Sequence, residues 1–314
     1  MKIIYNLERV EASFLASDHH FVGHTFCHIE RRQEGMEAGL VERGRGHVNR
    51  VGYVKRIIAK KRKPHRRVKR EVLTVPKALQ QLFDACTQTF KGPATVPSPQ
   101  DVHKLCHILD NMEPEHVGLS RDLQFFKPGN IIKENQRVTY TTVYKCDNFS
   151  LCIFFLPEKG VIPLHNHPGM TVFSKLLLGT MHIKSYDWVD PEDPDKLLQQ
   201  PSKLRLARLK ANKVFTAPCD TSVLYPTTGG NIHEFTAITP CAVLDVIGPP
   251  YSKEDGRDCS YYRDHSYASF PNERTGEVKE ENDSYAWLEE IEMPENSEMD
   301  GIEYLGPPIT ETPF

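Results

Sequence analysis

The chain has 314 residues, 39% of them hydrophobic and 26% charged, with a formal net charge of -3. These are the proportions of an ordinary globular protein. No apolar run approaches the ~20 residues of a membrane-spanning helix, so a membrane protein is not expected, and the length allows one substantial core with or without flexible ends.

Eight cysteines are scattered without a CxxC pair. That argues against a disulfide framework and for reduced thiols in a reducing compartment. The opening stretch MKIIYNLERVEASF is broken early by Glu8 and Arg9 and has no small-residue cleavage site, so it does not read as a secretory signal. A location in cytoplasm or nucleus is expected. The small net charge hides an asymmetry, because VKRIIAKKRKPHRRVKR (residues 54 to 70) is densely basic and residues 276 to 300 are strongly acidic.

In chain order, residues 1 to 72 show neither helical nor strand periodicity and read as a disordered basic extension. Its basic block has three readings: nuclear import signal, nucleic-acid contact or solvated linker. Import is preferred, and no nucleic-acid partner is expected, because no aromatic side chains are interleaved to stack on bases. VPKALQQLFDACTQTF places Leu79, Leu82, Phe83, Cys86 and Phe90 at spacings of three and four, which predicts an amphipathic helix entered through Pro76. After a proline-rich break, QDVHKLCHILDNM predicts a second helix with Val102, Leu105, Cys106, Leu109 and Met112 on one side. EPEHVGLS ends the helical part.

From about residue 136 the chain turns to β-branched and aromatic runs, punctuated by Gly, Pro, Asn and Asp at short intervals. That pattern predicts an all-β sandwich or barrel. Residues 190 to 203, with three prolines, read as a long surface loop. The acidic C-terminal region carries Tyr285, Trp287, Leu288, Ile291 and Tyr304, so it is expected to pack on the barrel. No internal repeat is evident.

The stretch VIPLHNHPGM holds His165 and His167 two apart between prolines. In an extended strand, alternate side chains share a face about 7 Å apart, so two imidazoles at this spacing can lean onto one metal ion. A turn that happens to carry two histidines is the competing reading. His233, after a Gly-Gly turn in GGNIHEFTAI, is a candidate third ligand from across a jelly roll; a surface histidine at a strand start is its alternative.

The segment GVIPLHNHPGMTVFSKLLLGTMHIKSYDWVDP resembles the metal-binding region of the plant cysteine oxidases, thiol dioxygenases of the cupin superfamily related to animal cysteamine dioxygenase. GGNIHEFTAITPCAVLDVIGPPYSKEDGRDCSYYRD resembles their second conserved segment, and YAWLEEIEMPENSEMDGIEYLGPPI their C-terminal end. The likeness runs from about residue 75 to 310 and implies a mainly β cupin double-stranded β-helix barrel with short N-terminal helices, as one domain over residues 73–310.

Carried over position by position, the resemblance makes His165, His167 and His233 the ligands of Fe(II). Asp245 becomes an acidic residue beside the metal, placed to hydrogen-bond the substrate amine or the oxygen reactant. Tyr251 becomes a pocket tyrosine, and Cys259 and Tyr261 a pair that is thioether-linked in relatives. An ion pair for Asp245, simple packing for Tyr251 and an inert buried thiol for Cys259 are the structural alternatives. Many cupins place a glutamate four or five residues after the paired histidines, where this chain has Thr171 and Val172. Three neutral imidazoles without a carboxylate leave the full metal charge to stabilise a thiolate.

The resemblance further implies oxidation of an N-terminal cysteine to cysteine sulfinic acid with O2 as co-substrate. The expected partners are transcription factors beginning Met-Cys, in an oxygen-sensing N-degron pathway, and the expected enzyme is a monomer. The alternatives are a dioxygenase of small thiols such as cysteamine or free cysteine, and a non-catalytic metal-binding cupin.

Overall fold

A computed structural model describes residues 76–93, 95–126, 137–189, 204–269, 284–295 and 297–311. The basic extension, the loop at 190–203 and the first part of the acidic region lie outside the described residues.

Two helices come first, α1 (Lys77–Thr89) and α2 (Pro99–Asp110). Pro76 stands at the α1 N-cap. α2 begins one residue earlier than its apolar spacing indicates, because Ser98 caps it, accepting the Asp101 N–H at 3.2 Å, and Pro99 fills the first turn. Beyond α2 the chain makes a short 3-10 turn over Pro114–Val117, closed by Gly118.

Twelve strands follow among the described residues. They are β1 (Thr139–Lys145), β2 (Ser150–Leu156), β3 (Val161–His165), β4 (Thr171–Leu178), β5 (Thr180–Trp188), β6 (Leu204–Thr216), β7 (Ser222–Leu224), β8 (Ile232–Ala237), β9 (Cys241–Gly248), β10 (Tyr261–Ser266), β11 (Tyr285–Ile291) and β12 (Asp300–Gly301). One sheet has the order β12-β1-β2-β9-β4-β7, and the other closes on itself as β10-β11-β6-β5-β8-β3. Strands distant in sequence lie side by side, β9 beside both β2 and β4 and β8 beside β3, as a jelly roll requires. The fold is the cupin double-stranded β-helix.

Strand alternation sorts the cores. Leu244 and Val246 of β9, Phe173 of β4, and Leu151, Ile153 and Phe155 of β2 face the helices and pack with Leu79, Leu82, Leu105 and Leu109. Their neighbours Val243, Leu176 and Leu156 face the opposite way, against Ile183, Phe235 and Ala237 of the ring. β4 and β9 are therefore buried on both faces, which is why they read as nearly unbroken apolar runs. Gly248 is required where β9 passes under α1, since a Cβ there would lie 2.2 Å from the Phe90 ring. The one charge in β4, Lys175, donates to the carbonyl of Cys219 at 2.6 Å and pairs with Asp110 at 3.8 Å, fastening the end of α2 to the barrel.

Two expectations change. The acidic C-terminal region does more than pack on the barrel: β11 is a strand of the ring, paired with β10 on one side and β6 on the other. Nor do the paired histidines share a strand. β3 ends at His165, and His167 lies beyond it in the turn through Pro168 and Gly169 (φ 65°). Proline carries no N–H to continue a ladder. The His167 N–H goes instead to the side-chain oxygen of Asn231, at 3.1 Å.

Candidate metal centre

His165 closes β3, and β8 sets His233 directly opposite it in antiparallel register. His167 reaches the same point from the turn. The three ring centroids stand 4.8 to 4.9 Å apart. Their ligating nitrogens fall within 4.8 Å of one another, in the one such cluster found among the described residues. All three rings are buried, with exposures of 9%, 3% and 5% for His165, His167 and His233.

Burial drives their protonation down. The His165 imidazole is lowered to about 4 by loss of solvent, against a partial rise from its backbone hydrogen bonds. His167 and His233 are held well below the ordinary value by burial first and by the neighbouring imidazoles second. The rings are neutral, the state a metal ligand needs.

Second partners set the tautomers. The Nδ1–H of His165 donates to the carbonyl of Pro163 at 2.7 Å. The Tyr251 hydroxyl donates to the carbonyl of Asn166 at 2.8 Å, so its oxygen takes the Nδ1–H of His167 at 2.9 Å. Both rings thus turn an unprotonated Nε2 inward. There the Nε2 atoms of His167 and His233 meet at 3.1 Å. Two nitrogens each about 2.1 Å from a shared ion and at right angles across it stand ~3.0 Å apart. Converging, desolvated lone pairs at that span fit a metal ion bound by three imidazoles.

Asp245 belongs to the same space. Val243, two residues before it on β9, packs with Phe235, two residues past His233. Ile247, two residues after it, packs with Met170 and Tyr251, whose hydroxyl holds His167. Asp245 lies between them on the same strand face and so looks across the gap at the histidines. It is 4% exposed. Its Oδ1 has no hydrogen-bond partner, and burial pushes the carboxyl up to about 7 against a lowering hydrogen bond from Ser174.

Tyr261 is buried and pairs with His165 across β10 and β3. Cys259 is half-buried in the segment that enters β10. Thr171 and Val172, where many cupins carry a carboxylate ligand, are both buried, with Val172 packed beside Met170 and Ile247. Sequence reasoning missed the groups that orient the ligands: the Pro163 carbonyl, Asn166 and Asn231. The Gly-Gly-Asn turn two residues ahead of His233 was the available signal for Asn231.

A double-stranded β-helix with three inward histidines and no carboxylate among them defines a cupin metal centre. A family model described as PCO_ADO matches residues 108–309. The chain is 47% identical to plant cysteine oxidase 2 of Arabidopsis thaliana over 87% of this chain and 98% of that protein. It is also 47% identical to plant cysteine oxidase 1 of the same plant, over 74% of this chain and 81% of that one. Identity to the 2-aminoethanethiol dioxygenase of Mus musculus is 30%, over 74% of this chain and 96% of that protein. The chain belongs to the PCO_ADO family and is a thiol dioxygenase of the plant cysteine oxidase type.

Proposed function

We propose that the enzyme uses Fe(II) to oxidise the cysteine at the N-terminus of a polypeptide to cysteine sulfinic acid. The observation that carries this reading is the buried cluster of three neutral imidazoles with no carboxylate among its donors. His165, His167 and His233 would hold the ion. Bound Fe(II) would supply a redox-active Lewis acid that favours the thiolate form of the substrate and lets O2 react with it.

The chain's own residues do the rest. The Pro163 carbonyl and the Tyr251 hydroxyl hold the outer protons of two rings, so that each Nε2 faces inward. The orphaned Oδ1 of Asp245 is an acceptor waiting for a donor. The α-ammonium of an N-terminal cysteine supplies that donor, and its charge offsets the cost of the buried carboxylate. Met170, Val172, Leu224 and Ile247 wall the space with apolar surface that keeps water out. In the net reaction the S–H and O–O bonds break, two S–O bonds form, and the proton passes to a sulfinate oxygen.

Likeness to the 2-aminoethanethiol dioxygenases favours a second reading, oxidation of small thiols. One experiment separates the two. The Fe(II)-loaded chain is incubated in air with a Cys-initiated peptide, its N-acetylated form, cysteamine and free cysteine. The proposal expects the free-amine peptide to gain the mass of two oxygen atoms while the acetylated one does not. Gain on cysteamine alone would move the substrate to the small thiols, and gain on none would sink the reading.

In the cell, the substrates would be transcription factors beginning Met-Cys, exposed by removal of methionine, whose oxidation permits arginylation and degradation. Low oxygen would then spare them. Cytoplasm and nucleus are the compartments proposed, with residues 54 to 70 as the import signal; a reporter carrying residues 1–72 that stayed wholly cytoplasmic would remove that signal. All the site residues come from one chain, so a monomer suffices.

A further inference from the structure

His167 has no strand to hold it, and a ligand in a turn needs some other frame. Asn231 supplies one. Its Oδ1 accepts the His167 N–H at 3.1 Å, and its Nδ2 donates to the His167 carbonyl at 2.9 Å and to the Tyr225 carbonyl at 2.8 Å. One buried amide thus grips both backbone polar groups of a metal ligand, and these contacts leave only one arrangement of its oxygen and nitrogen.

Asn231 is itself fixed from β5. Asp187 is 7% exposed, and its carboxylate accepts three successive N–H groups: Gly229 at 3.0 Å, Gly230 at 2.7 Å and Asn231 at 3.1 Å. Consecutive amides can converge on one anion because Gly229 and Gly230 both hold a positive φ, 84° and 86°. Gly230 also lies so close to β5 that a Cβ would sit 2.5 Å from the Ser185 hydroxyl. Lys210 approaches the carboxylate from the outer side at 3.7 Å. Two residues after this nest comes His233.

We infer that Asp187 and Asn231 are positioning residues that build the metal centre: the Asp187 carboxylate folds the Gly229–Asn231 backbone into an anion nest, and Asn231 then clamps the backbone of His167 in register with His233. Two of the three ligands are tied through one buried carboxylate that touches neither ring. The inference rests on the three histidines being the metal site of the proposed reaction.

The test uses the full chain with Co(II) as a spectroscopic probe metal. Asp187→Asn weakens the nest, and Asn231→Asp removes both donors and sets a carboxylate against two carbonyl oxygens. Each variant is expected to bind Co(II) about 10- to 100-fold more weakly than wild type. At saturation with Co(II) each should show an altered visible spectrum, and when loaded with Fe(II) instead its kcat on a Cys-initiated peptide should fall more than its KM rises. A folded variant with wild-type Co(II) affinity and spectrum would overturn the inference, whatever its melting temperature, since a merely structural role moves only the last. If neither variant folds, amide exchange on the wild-type chain decides. Protection of the His167, Gly230 and Asn231 amides equal to that of β8 supports the clamp; exchange as fast as an exposed loop overturns it. A wild-type chain that binds Co(II) but, when loaded with Fe(II) in air, oxidises no thiol would end the reading of the reaction and leave the clamp standing.

Discussion

Two of the three imidazoles of the centre, His165 and His167, are each oriented by one atom outside it. A carbonyl holds one outer ring proton and a phenol oxygen another, and such outer partners raise ligand basicity as well as fixing the ring. Asp245 is the converse case, a buried group left incomplete. An unpaired buried acceptor costs about 1–3 kcal/mol, a penalty tolerated where function needs it. Asp245→Asn should therefore leave the melting temperature unchanged or raise it, while kcat/KM on a Cys-initiated peptide falls by about 30-fold or more, the value of ~2 kcal/mol lost from a buried charge pair. Melting curves and steady-state kinetics on the same preparation check this. A variant less stable and fully active would place the carboxylate in the scaffold instead. At this scale the three histidines were legible from spacing and family likeness together, and Asp245 from the likeness alone. The sequence was silent where a backbone carbonyl or a side chain dozens of residues away finishes the geometry, because nothing local marks Pro163 as a partner of a histidine and the Gly-Gly-Asn turn does not point Asn231 at His167.

At the scale of elements, the ring sheet depends on β10 and β11, which join β6 to β3. The joint is partly ionic. Asp264 of β10 pairs with Lys184 of β5 in a very short contact, and the Tyr186 hydroxyl donates to it at 2.9 Å. Burial raises the Asp264 carboxyl, but the Lys184 and Tyr186 hydrogen bonds and the lysine charge outweigh it, and the net direction is down. A carboxyl lowered by folding binds fewer protons in the native than in the unfolded state. Its contribution is present above the unfolded value of about 3.9 and is lost as pH falls through the folded one. Asp264→Asn should cost about 1 kcal/mol at neutral pH and flatten the acid limb of a urea-midpoint profile taken from about pH 7 down to about pH 3. A profile parallel to wild type would show that the pair contributes nothing to closure. The two helices were legible from their apolar spacing, and the first nine strands as a β-rich stretch from about residue 136. β10 was not, since YYRDHS exposes Arg263 and half-buries its ionic pair. β11 looks from sequence like a packed segment, because its acidic flanks mask the buried Ala286, Trp287 and Leu288.

For the whole molecule, helices cover one face of the open sheet and the ring covers the other, so its central strands β4 and β9 are buried on both sides by apolar packing. Uncharged ligands, a lone acid and apolar walls suit a reaction whose substrate brings both the anion and the cation. The central claim is that both atoms of O2 end on the substrate sulfur. The direct measurement is a single aerobic turnover of the Fe(II)-loaded chain on a Cys-initiated peptide under heavy-isotope O2 in ordinary water, followed by mass analysis of the product. The account predicts a sulfinic acid carrying two labelled oxygens. A product with one labelled oxygen and one from water, or a peptide disulfide with the label recovered in water or peroxide, would contradict it.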